Sequence, residues 1–102
     1  MELSEIARLD AVLQRLPYVR LLGMRVEEID GRLTAVLPFA QSLIGNPTLP
    51  ALHGGVVGGF LEMTALAALA HAEPDGRTPK TIDITIEYLR SARAQQTYAH
   101  AT

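Results

Sequence analysis

The sequence predicts an α+β fold in which an antiparallel sheet packs against one very apolar helix. Asp30 and Gly31 separate two strand-like runs and form a strong hairpin signal. Residues 54–71 are mostly aliphatic side chains, alanines and glycines, which predicts a helix that is buried on all sides. Residues 80–89 alternate apolar and polar side chains, as a half-buried strand does. These three observations favour a sheet that curls around the helix.

The N-terminal region predicts two helical pieces. Residues 3–16 carry apolar side chains at helical spacing, and Ser4 stands where an N-cap is expected. Pro17 begins a short turn or a second helix through residue 22, and Gly23 ends it. The apolar positions of the first helix are Ile6, Leu9, Leu13 and Leu16.

The remaining elements alternate strands with loops around the apolar helix. Pro38 weakens the end of one strand, and repeated Gly and Pro make the segment before the apolar helix a loop. The predicted order is a strand over 24–29, a strand over 33–39, a loop over 40–52, the helix over 54–71, a loop over 73–79, a strand over 80–89, a turn over 93–95 and a strand from 96 onward.

Length and composition limit the classes of protein to consider. The 102 residues carry a net charge of −2 and no cysteine, so we expect one domain, 1–102, with a helical segment over 1–22 and a core over 24–102. The scattered Lys and Arg argue against a nucleic-acid partner. Without cysteine, disulfides and thiolate metal sites are excluded. We expect a cytoplasmic protein, since the charged N-terminus lacks the apolar core of a signal peptide.

Neither a membrane span nor a metal or other cofactor is expected. The apolar run is shorter than the roughly 20 residues of a membrane helix, and Glu62 stands in its middle. The three histidines, His53, His71 and His100, have no metal-ligand spacing with one another.

Four glycines occupy the first six positions of the apolar helix. Each destabilises a helix by about 1 kcal/mol relative to alanine, so they must serve another purpose. Bare glycines leave backbone N–H groups accessible at the positive end of the helix dipole, which suits an anion or a carbonyl oxygen that becomes an oxyanion. The alternative is that the glycines only permit close packing.

Glu62 is the second unusual feature, because a buried, unpaired carboxylate is costly. It is either a nucleophile or general base in a dry cleft, or a side chain that reaches solvent or pairs with an arginine. His53 lies nine residues earlier, which puts the two side chains on opposite sides of the helix and about 13 Å apart along it. One helix therefore cannot bring Glu62 to its own N-terminus, whereas two antiparallel copies can. A site of this design needs a two-fold dimer.

Five segments resemble the hotdog-fold acyl-CoA thioesterases, and in particular their phenylacetate-pathway (PaaI-like) branch. They are Asn46-Pro47, the Leu-His-Gly-Gly-Val of 52–56, Glu62, the Thr-Ile-Asp-Ile of 81–84 and the Tyr-Leu-Arg-Ser-Ala of 88–92. The resemblance runs from about residue 24 to the C-terminus. It implies a curved antiparallel sheet wrapped around one long helix, assembled as a homodimer or a homotetramer, with acyl-CoA as substrate.

The resemblance also implies roles for individual residues. Glu62 would be the catalytic carboxylate that attacks the thioester carbonyl or activates water. The backbone N–H of Gly54 or Gly55 would polarise that carbonyl, and His53 would shape the site. Asn46 would orient the water or the thioester, although it lies seven residues before the histidine where the family commonly has six.

Three further residues are candidates for binding the substrate. A Ser or Thr often assists in the family, which points to Thr64 or Thr81, and Arg90 would contact the phosphates of CoA. From the sequence alone, Arg90 also fits an ordinary solvated charge at a strand end.

The family normally continues for about 35 residues and two strands beyond residue 102, so we expect a truncated sequence whose last strands are absent. An acyl-CoA thioesterase is the first functional hypothesis. The second is a non-catalytic module that binds acyl thioesters on the same fold. Hotdog dehydratases and hydratases are a weaker third, because their motif is not found here.

Overall fold

A computed structural model describes residues 4–73 and 79–102. Three helices and five short strands follow one another in it, with a 3-10 turn over Gln41–Leu43 between the second and third strands. The elements are α1 (Glu5–Leu13), α2 (Pro17–Leu22), β1 (Arg25–Ile29), β2 (Arg32–Leu37), β3 (Ile44–Asn46), β4 (Ala51–Leu52), α3 (Gly54–Ala72) and β5 (Thr97–Ala99).

The two N-terminal helices begin and end at the residues that the sequence singles out. The Ser4 hydroxyl accepts a hydrogen bond from the Ala7 N–H at 3.1 Å and caps α1. Pro17 opens α2, and Gly23 ends it in the left-handed conformation with φ of +75°. The predicted second helix is therefore confirmed. Leu16 lies outside α1, as the extended residue that precedes α2.

An antiparallel sheet of three strands, in the order β1-β2-β5, forms one layer. Asp30 and Gly31 join β1 to β2 with φ of 53° and 74°, which is the turn geometry that matches strand twist. Ala35 in the middle of β2 pairs with Val26 on one side and with Ala99 on the other. The predicted hairpin and the predicted C-terminal strand are both confirmed.

Helix α1 covers the outer edge of β1 with two polar side chains. The Asp10 carboxylate accepts the Val26 N–H at 2.9 Å, and the Gln14 amide donates to the Met24 carbonyl at 2.9 Å. These bonds satisfy backbone groups that an edge strand would otherwise expose. The other edge of the sheet is β5.

Helix α3 packs one side against the sheet and leaves another side open. Phe60, Thr64 and Ala67 are buried, whereas Leu61 and Leu69 are 39% and 56% exposed. The expectation that the helix is buried on all sides is wrong for the described chain, because a sheet of three strands covers only one side. The core is formed by Leu13, Val19, Leu22, Met24, Val26, Ala35, Leu37, Leu43, Leu52, Phe60, Ala67 and Ala99.

By length and composition alone, α3 is apolar enough to cross a membrane, with a mean hydropathy of 1.4 over an 18-residue window. The core helix of a soluble protein passes the same test, so this property is weak support for a membrane span. The absence of a membrane partner stays a prediction.

The predicted loop over 40–52 contains a small second sheet. Strands β3 and β4 pair antiparallel, with Ile44 opposite Leu52 and a register shift at Gly45. The sequence did not predict this hairpin, because strands of three and two residues are too short to show alternation. The hairpin matters for the site, since β4 leads directly into α3.

The predicted strand over 80–89 is wrong for the described residues. No strand is assigned there, and Ile82, Ile84 and Tyr88 are 100%, 45% and 57% exposed. Apolar and polar side chains do alternate in this segment. Alternation places side chains on two faces, but a strand also needs a neighbouring strand that hydrogen-bonds to its backbone. Part of the predicted loop over 73–79, residues 74–78, lies outside the described residues.

Candidate functional site

The first turn of α3 is held by two side chains. His53 is its N-cap residue, and the ring Nδ1 accepts the Gly55 N–H at 2.9 Å. The Tyr88 hydroxyl donates to the Gly54 carbonyl at 2.8 Å. Because Nδ1 accepts, the neutral His53 ring carries its proton on Nε2. His53, which precedes the helix, and Tyr88, which follows Gly54 by 34 positions, thus both hydrogen-bond to the first turn of α3.

Two backbone N–H groups at this end have no partner in the part of the chain that the structure describes. The Val57 N–H bonds to the His53 carbonyl at 3.1 Å, and the Gly55 N–H is taken by the His53 ring. Among the described residues, nothing accepts from the N–H of Gly54 or Val56. The helix dipole adds partial positive charge here. Of Gly54 and Gly55, which the sequence offers as oxyanion donors, Gly54 is the one whose N–H has no partner among the described residues.

The glycines of α3 also let neighbouring side chains approach the helix closely. A Cβ on Gly55 would stand 3.0 Å from Nδ1 of His53, and one on Gly58 would stand 3.0 Å from the Tyr88 hydroxyl. A Cβ on Gly59 would collide with the hydroxyl of Tyr18. Side chains therefore pack closely against three of the four glycines. At Gly54 the nearest atom is 3.7 Å away, an ordinary contact, so packing explains that glycine least.

A cleft of about 440 Å³ opens beside the first turn of α3. The carbonyl of Gly54 and the ring of Tyr88 meet at its wall, and the exposed Arg90 brings a positive charge to it. The cleft is lined by Ala51, Leu52, Gly54, Val57, Tyr88, Leu89, Arg90, Ser91 and Ala92. The structure thus brings together Gly54 and Arg90, two of the residues that the sequence suggests.

Glu62 lies away from this cleft. It is half-buried on α3, eight residues after Gly54, which corresponds to about 12 Å along the helix axis and an 80° rotation. Among residues 4–73 and 79–102, no side chain hydrogen-bonds or ion-pairs with its carboxylate. The described residues therefore show no arginine paired with Glu62, and its side chain is partly open to solvent in the single chain. Within one chain, Glu62 and the Gly54 N–H do not share a cleft.

The other three polar candidates do not line the cleft beside the first turn. The Asn46 side-chain oxygen accepts the N–H groups of Thr48 and Leu49 at 2.9 and 3.3 Å, which closes the turn between β3 and β4. Thr64 is buried, and its hydroxyl donates to the Phe60 carbonyl at 2.7 Å. Thr81 is exposed in the unpaired segment. None of the three lines the cleft.

Thr64 lines a different, smaller cavity of about 90 Å³ between the sheet and α3, with Val26, Ala35 and Ala67. Its hydroxyl is directed at the backbone of its own helix, so it has no free donor for a ligand there.

Tyr88 is the contact residue that sequence reasoning did not place at the helix end. The signal was present in part, because Tyr88 immediately precedes Leu89 and Arg90 and ends the alternating run. No local pattern connects a tyrosine to a glycine 34 residues earlier. Within residues 4–73 and 79–102, no group of three or more His, Cys, Asp or Glu side chains is placed to hold a metal ion. The expectation of no metal stays a prediction.

Comparison with family models matches residues 49–102 to the model of the thioesterase superfamily. The matched residues include β4, the whole of α3 and the cleft-lining segment after it. No curated protein matches the chain.

Several solved structures are similar to the chain. A protein from the thioesterase superfamily has a TM-score of 0.80 at 24% identity, over 94% of this chain and 72% of its own. A Shewanella oneidensis protein related to the thioesterase superfamily has a TM-score of 0.69 at 29% identity, over 91% and 71%. A Bacillus halodurans protein crystallised with CoA has a TM-score of 0.68 at 22% identity, over 92% and 64%.

Proposed function

Because the chain belongs to the thioesterase superfamily and has its hotdog fold, we propose that it is an acyl-CoA thioesterase of the PaaI-like branch. It hydrolyses an acyl-CoA to a carboxylic acid and CoA. The observation that carries the proposal is the Gly54 N–H at the positive end of α3, a donor that no described residue pairs with, beside a cleft that Arg90 also lines. These are the groups that polarise a thioester carbonyl and hold an anionic substrate.

The reaction needs a donor that binds the carbonyl oxygen more strongly as it becomes negative. In the proposed site, the thioester carbonyl lies in the cleft with its oxygen toward the Gly54 N–H. Attack on the carbonyl carbon moves an electron pair onto that oxygen, and the helix dipole stabilises the charge. When the pair returns, the carbon–sulfur bond breaks and CoA leaves as a thiolate that takes up a proton.

Glu62 supplies the attack in one of two ways. As general base it takes a proton from water while the water oxygen bonds to the carbonyl carbon. As nucleophile it forms an anhydride that water then hydrolyses. Since Glu62 lies about 12 Å along α3 from the Gly54 of its own chain, we assign it to the cleft of a second copy. This makes the homodimer the smallest active unit, and a homotetramer contains two such units.

The remaining candidates take supporting roles in this proposal. His53 fixes the first turn through its ring, and Arg90 contacts the phosphates of CoA at the mouth of the cleft. That assignment draws on the fold shared with the Bacillus halodurans protein that was crystallised with CoA. The Asn46 amide nitrogen would orient water, since among the described residues only the side-chain oxygen is engaged, within the turn. Thr64 and Thr81 remain candidates with no contact to the cleft.

A second function follows if copies do not assemble in this way. A single chain keeps the Gly54 donor and Arg90 but has no acid in the cleft. It would then bind an acyl thioester without cleaving it, as a non-catalytic module. The observation that favours this reading is the separation of Glu62 from the cleft within one chain.

The test is a panel of aliphatic and aromatic acyl-CoAs with thiol release as readout, run on the wild type and on Glu62→Ala. We expect hydrolysis by the wild type and a loss of about 10²–10⁴ in kcat for the variant, since that is the typical contribution of a general base. The oligomer should stay intact by sedimentation.

The matched control is Glu28→Ala, which removes an exposed carboxylate from β1, and we expect it to hydrolyse as the wild type does. Saturable binding of acyl-CoA without thiol release by the wild type would favour the binding module. Hydrolysis by Glu62→Ala at the wild-type rate would remove Glu62 from the mechanism.

A further inference from the structure

We propose that Tyr88 is a positioning residue that fixes the oxyanion-binding turn at the start of α3 by holding the Gly54 carbonyl. The inference rests on the proposed function, because it concerns the donor that Gly54 would supply. Tyr88 acts through the backbone of another residue and needs no contact with the substrate.

The peptide unit between Gly54 and Gly55 is held at both ends. Its carbonyl accepts the Tyr88 hydroxyl at 2.8 Å, and its N–H donates to Nδ1 of His53 at 2.9 Å. A peptide unit is planar, so two bonds at opposite ends fix the orientation of the whole plane. The neighbouring N–H groups of Gly54 and Val56 then keep a defined direction, and these are the two without partners among the described residues.

This turn needs such support more than an ordinary helix end does. Two consecutive glycines have the widest choice of backbone conformations, and a helix loses its pairing first at its ends. An oxyanion donor contributes to rate only when it already points at the place where charge develops. The glycines that leave the donor N–H accessible therefore also give its backbone more conformational freedom. The hydrogen bonds from His53 and Tyr88 restrict that freedom.

The contacts around Tyr88 fit this role. The ring lies over the start of α3, where a Cβ on Gly54 would stand 3.7 Å from its edge and one on Gly58 would stand 3.0 Å from its hydroxyl. The hydroxyl thus lies close to Gly58, where a side chain would crowd it. Tyr88 comes from the segment over 80–89, which has no strand pairing among the described residues, so this bond also ties that segment to α3.

The experiment compares Tyr88→Phe with Tyr98→Phe. Each removes one hydroxyl from a tyrosine of similar exposure, 57% and 54%, and the Tyr98 hydroxyl bonds to Gln96, far from α3 in the sequence. Steady-state hydrolysis of acyl-CoA gives kcat and KM. Independently of activity, NMR gives the amide shifts and hydrogen-exchange rates of Gly55 and Gly58.

For Tyr88→Phe we expect kcat to fall roughly fivefold with KM unchanged, the effect of one hydrogen bond of ordinary strength. The amides of the first turn should shift and exchange faster, and Tyr98→Phe should match the wild type in both measurements. A rise in KM alone would make Tyr88 a substrate contact and overturn the proposal, as would unchanged amides with unchanged kcat.

The two readouts separate this inference from the proposed function. If the wild type releases no thiol but Tyr88→Phe still loosens the Gly55 and Gly58 amides, the fixing of the turn stands and the thioesterase assignment fails. If the wild type is active and Tyr88→Phe alters neither kcat nor the amides, the thioesterase assignment stands and the role of Tyr88 fails.

Discussion

The two halves of the proposed site differ in how complete they are within one chain. At the first turn of α3, His53 and Tyr88 satisfy the backbone, and the N–H of Gly54 stays available. Two turns further along the same helix, Glu62 has no partner among the described residues. In the proposed thioesterase, a single chain therefore builds the half of the site that polarises the carbonyl, and a second copy would complete the acidic half.

The distribution of buried and exposed residues on α3 is consistent with a site completed by a second copy. Phe60, Thr64 and Ala67 lie on the side that packs against the sheet. Leu61 and Leu69 lie eight residues apart on an open side, with Glu62 next to Leu61. Exposed leucines beside an acid that has no partner among the described residues form a surface that gains from being covered. In the proposed dimer, a second copy covers the part of this side that carries Glu62.

The largest expected effect comes from removing the Gly54 N–H, the proposed donor at the first turn of α3. Gly54 is the first helical residue, a position that tolerates proline, and His53 has the extended φ and ψ of −63° and 134° that a residue before proline prefers. Gly54→Pro therefore removes the N–H while the helix is kept. We expect kcat to fall by about 10²–10³, the usual effect of losing one oxyanion donor, measured by thiol release.

Gly54→Ala is the matched control, because it adds a side chain and keeps the N–H. Its Cβ would be in ordinary contact with Tyr88, so the helix should accept it. We expect its kcat to stay far above that of Gly54→Pro, with equal thermal stability for the two variants. Equal losses of activity in both would show that the side chain, and not the N–H, is what the site cannot tolerate.

A second prediction tests whether the two halves come from different chains. Glu62→Ala and Gly54→Pro are each expected to keep at most about 1% of wild-type activity, but a mixed dimer contains one site with an intact Glu62 and an intact Gly54. Coexpression should therefore restore about a quarter of wild-type activity, since half of the dimers are mixed and half of their sites are intact. Tandem purification on two different tags isolates the mixed dimer for the assay.

Activity that stays at the level of the single variants would contradict the two-chain site. The control is a mixed dimer of Glu62→Ala with Glu62→Gln, in which no site regains a carboxylate. It should stay inactive, which shows that coexpression by itself does not raise the rate.

Local features of the fold were predictable because neighbouring residues decide them. The turn at Asp30-Gly31, the cap at Ser4 and the start of α3 after His53 each depend on a few adjacent residues with specific backbone preferences. The small sheet of β3 and β4 was not predictable, because its strands are too short for a pattern. The segment over 80–89 has the pattern of a strand, but pairing depends on a neighbour that alternation cannot supply.

The candidate site was predictable in its residue types more than in its contacts. A carboxylate in an apolar run and glycines after a histidine were enough to single out Glu62, His53 and Gly54. The hydrogen bond from Tyr88 to Gly54 joins residues 34 positions apart, and no sequence periodicity encodes it. That Gly55 donates to the ring of His53 also required coordinates, because the cap could have used another N–H.

The smallest expected effect on activity comes from Gly45, which packs against the backbone of His53. A Cβ on Gly45 would stand 2.6 Å from the Cα of His53, which is backbone and cannot move without shifting the start of α3. Gly45→Ala should therefore destabilise the fold by about 1–3 kcal/mol, as overpacking does, and lower kcat a few-fold by displacing the cap.

The control is Gly59→Ala. At Gly59 a Cβ would meet the far end of the Tyr18 side chain, which can rotate away. There alanine also gains helix propensity of about 1 kcal/mol, so Gly59→Ala should be nearly neutral in chemical denaturation. If Gly59→Ala proved the more damaging of the two, the rigidity assigned to the backbone around His53 would be wrong.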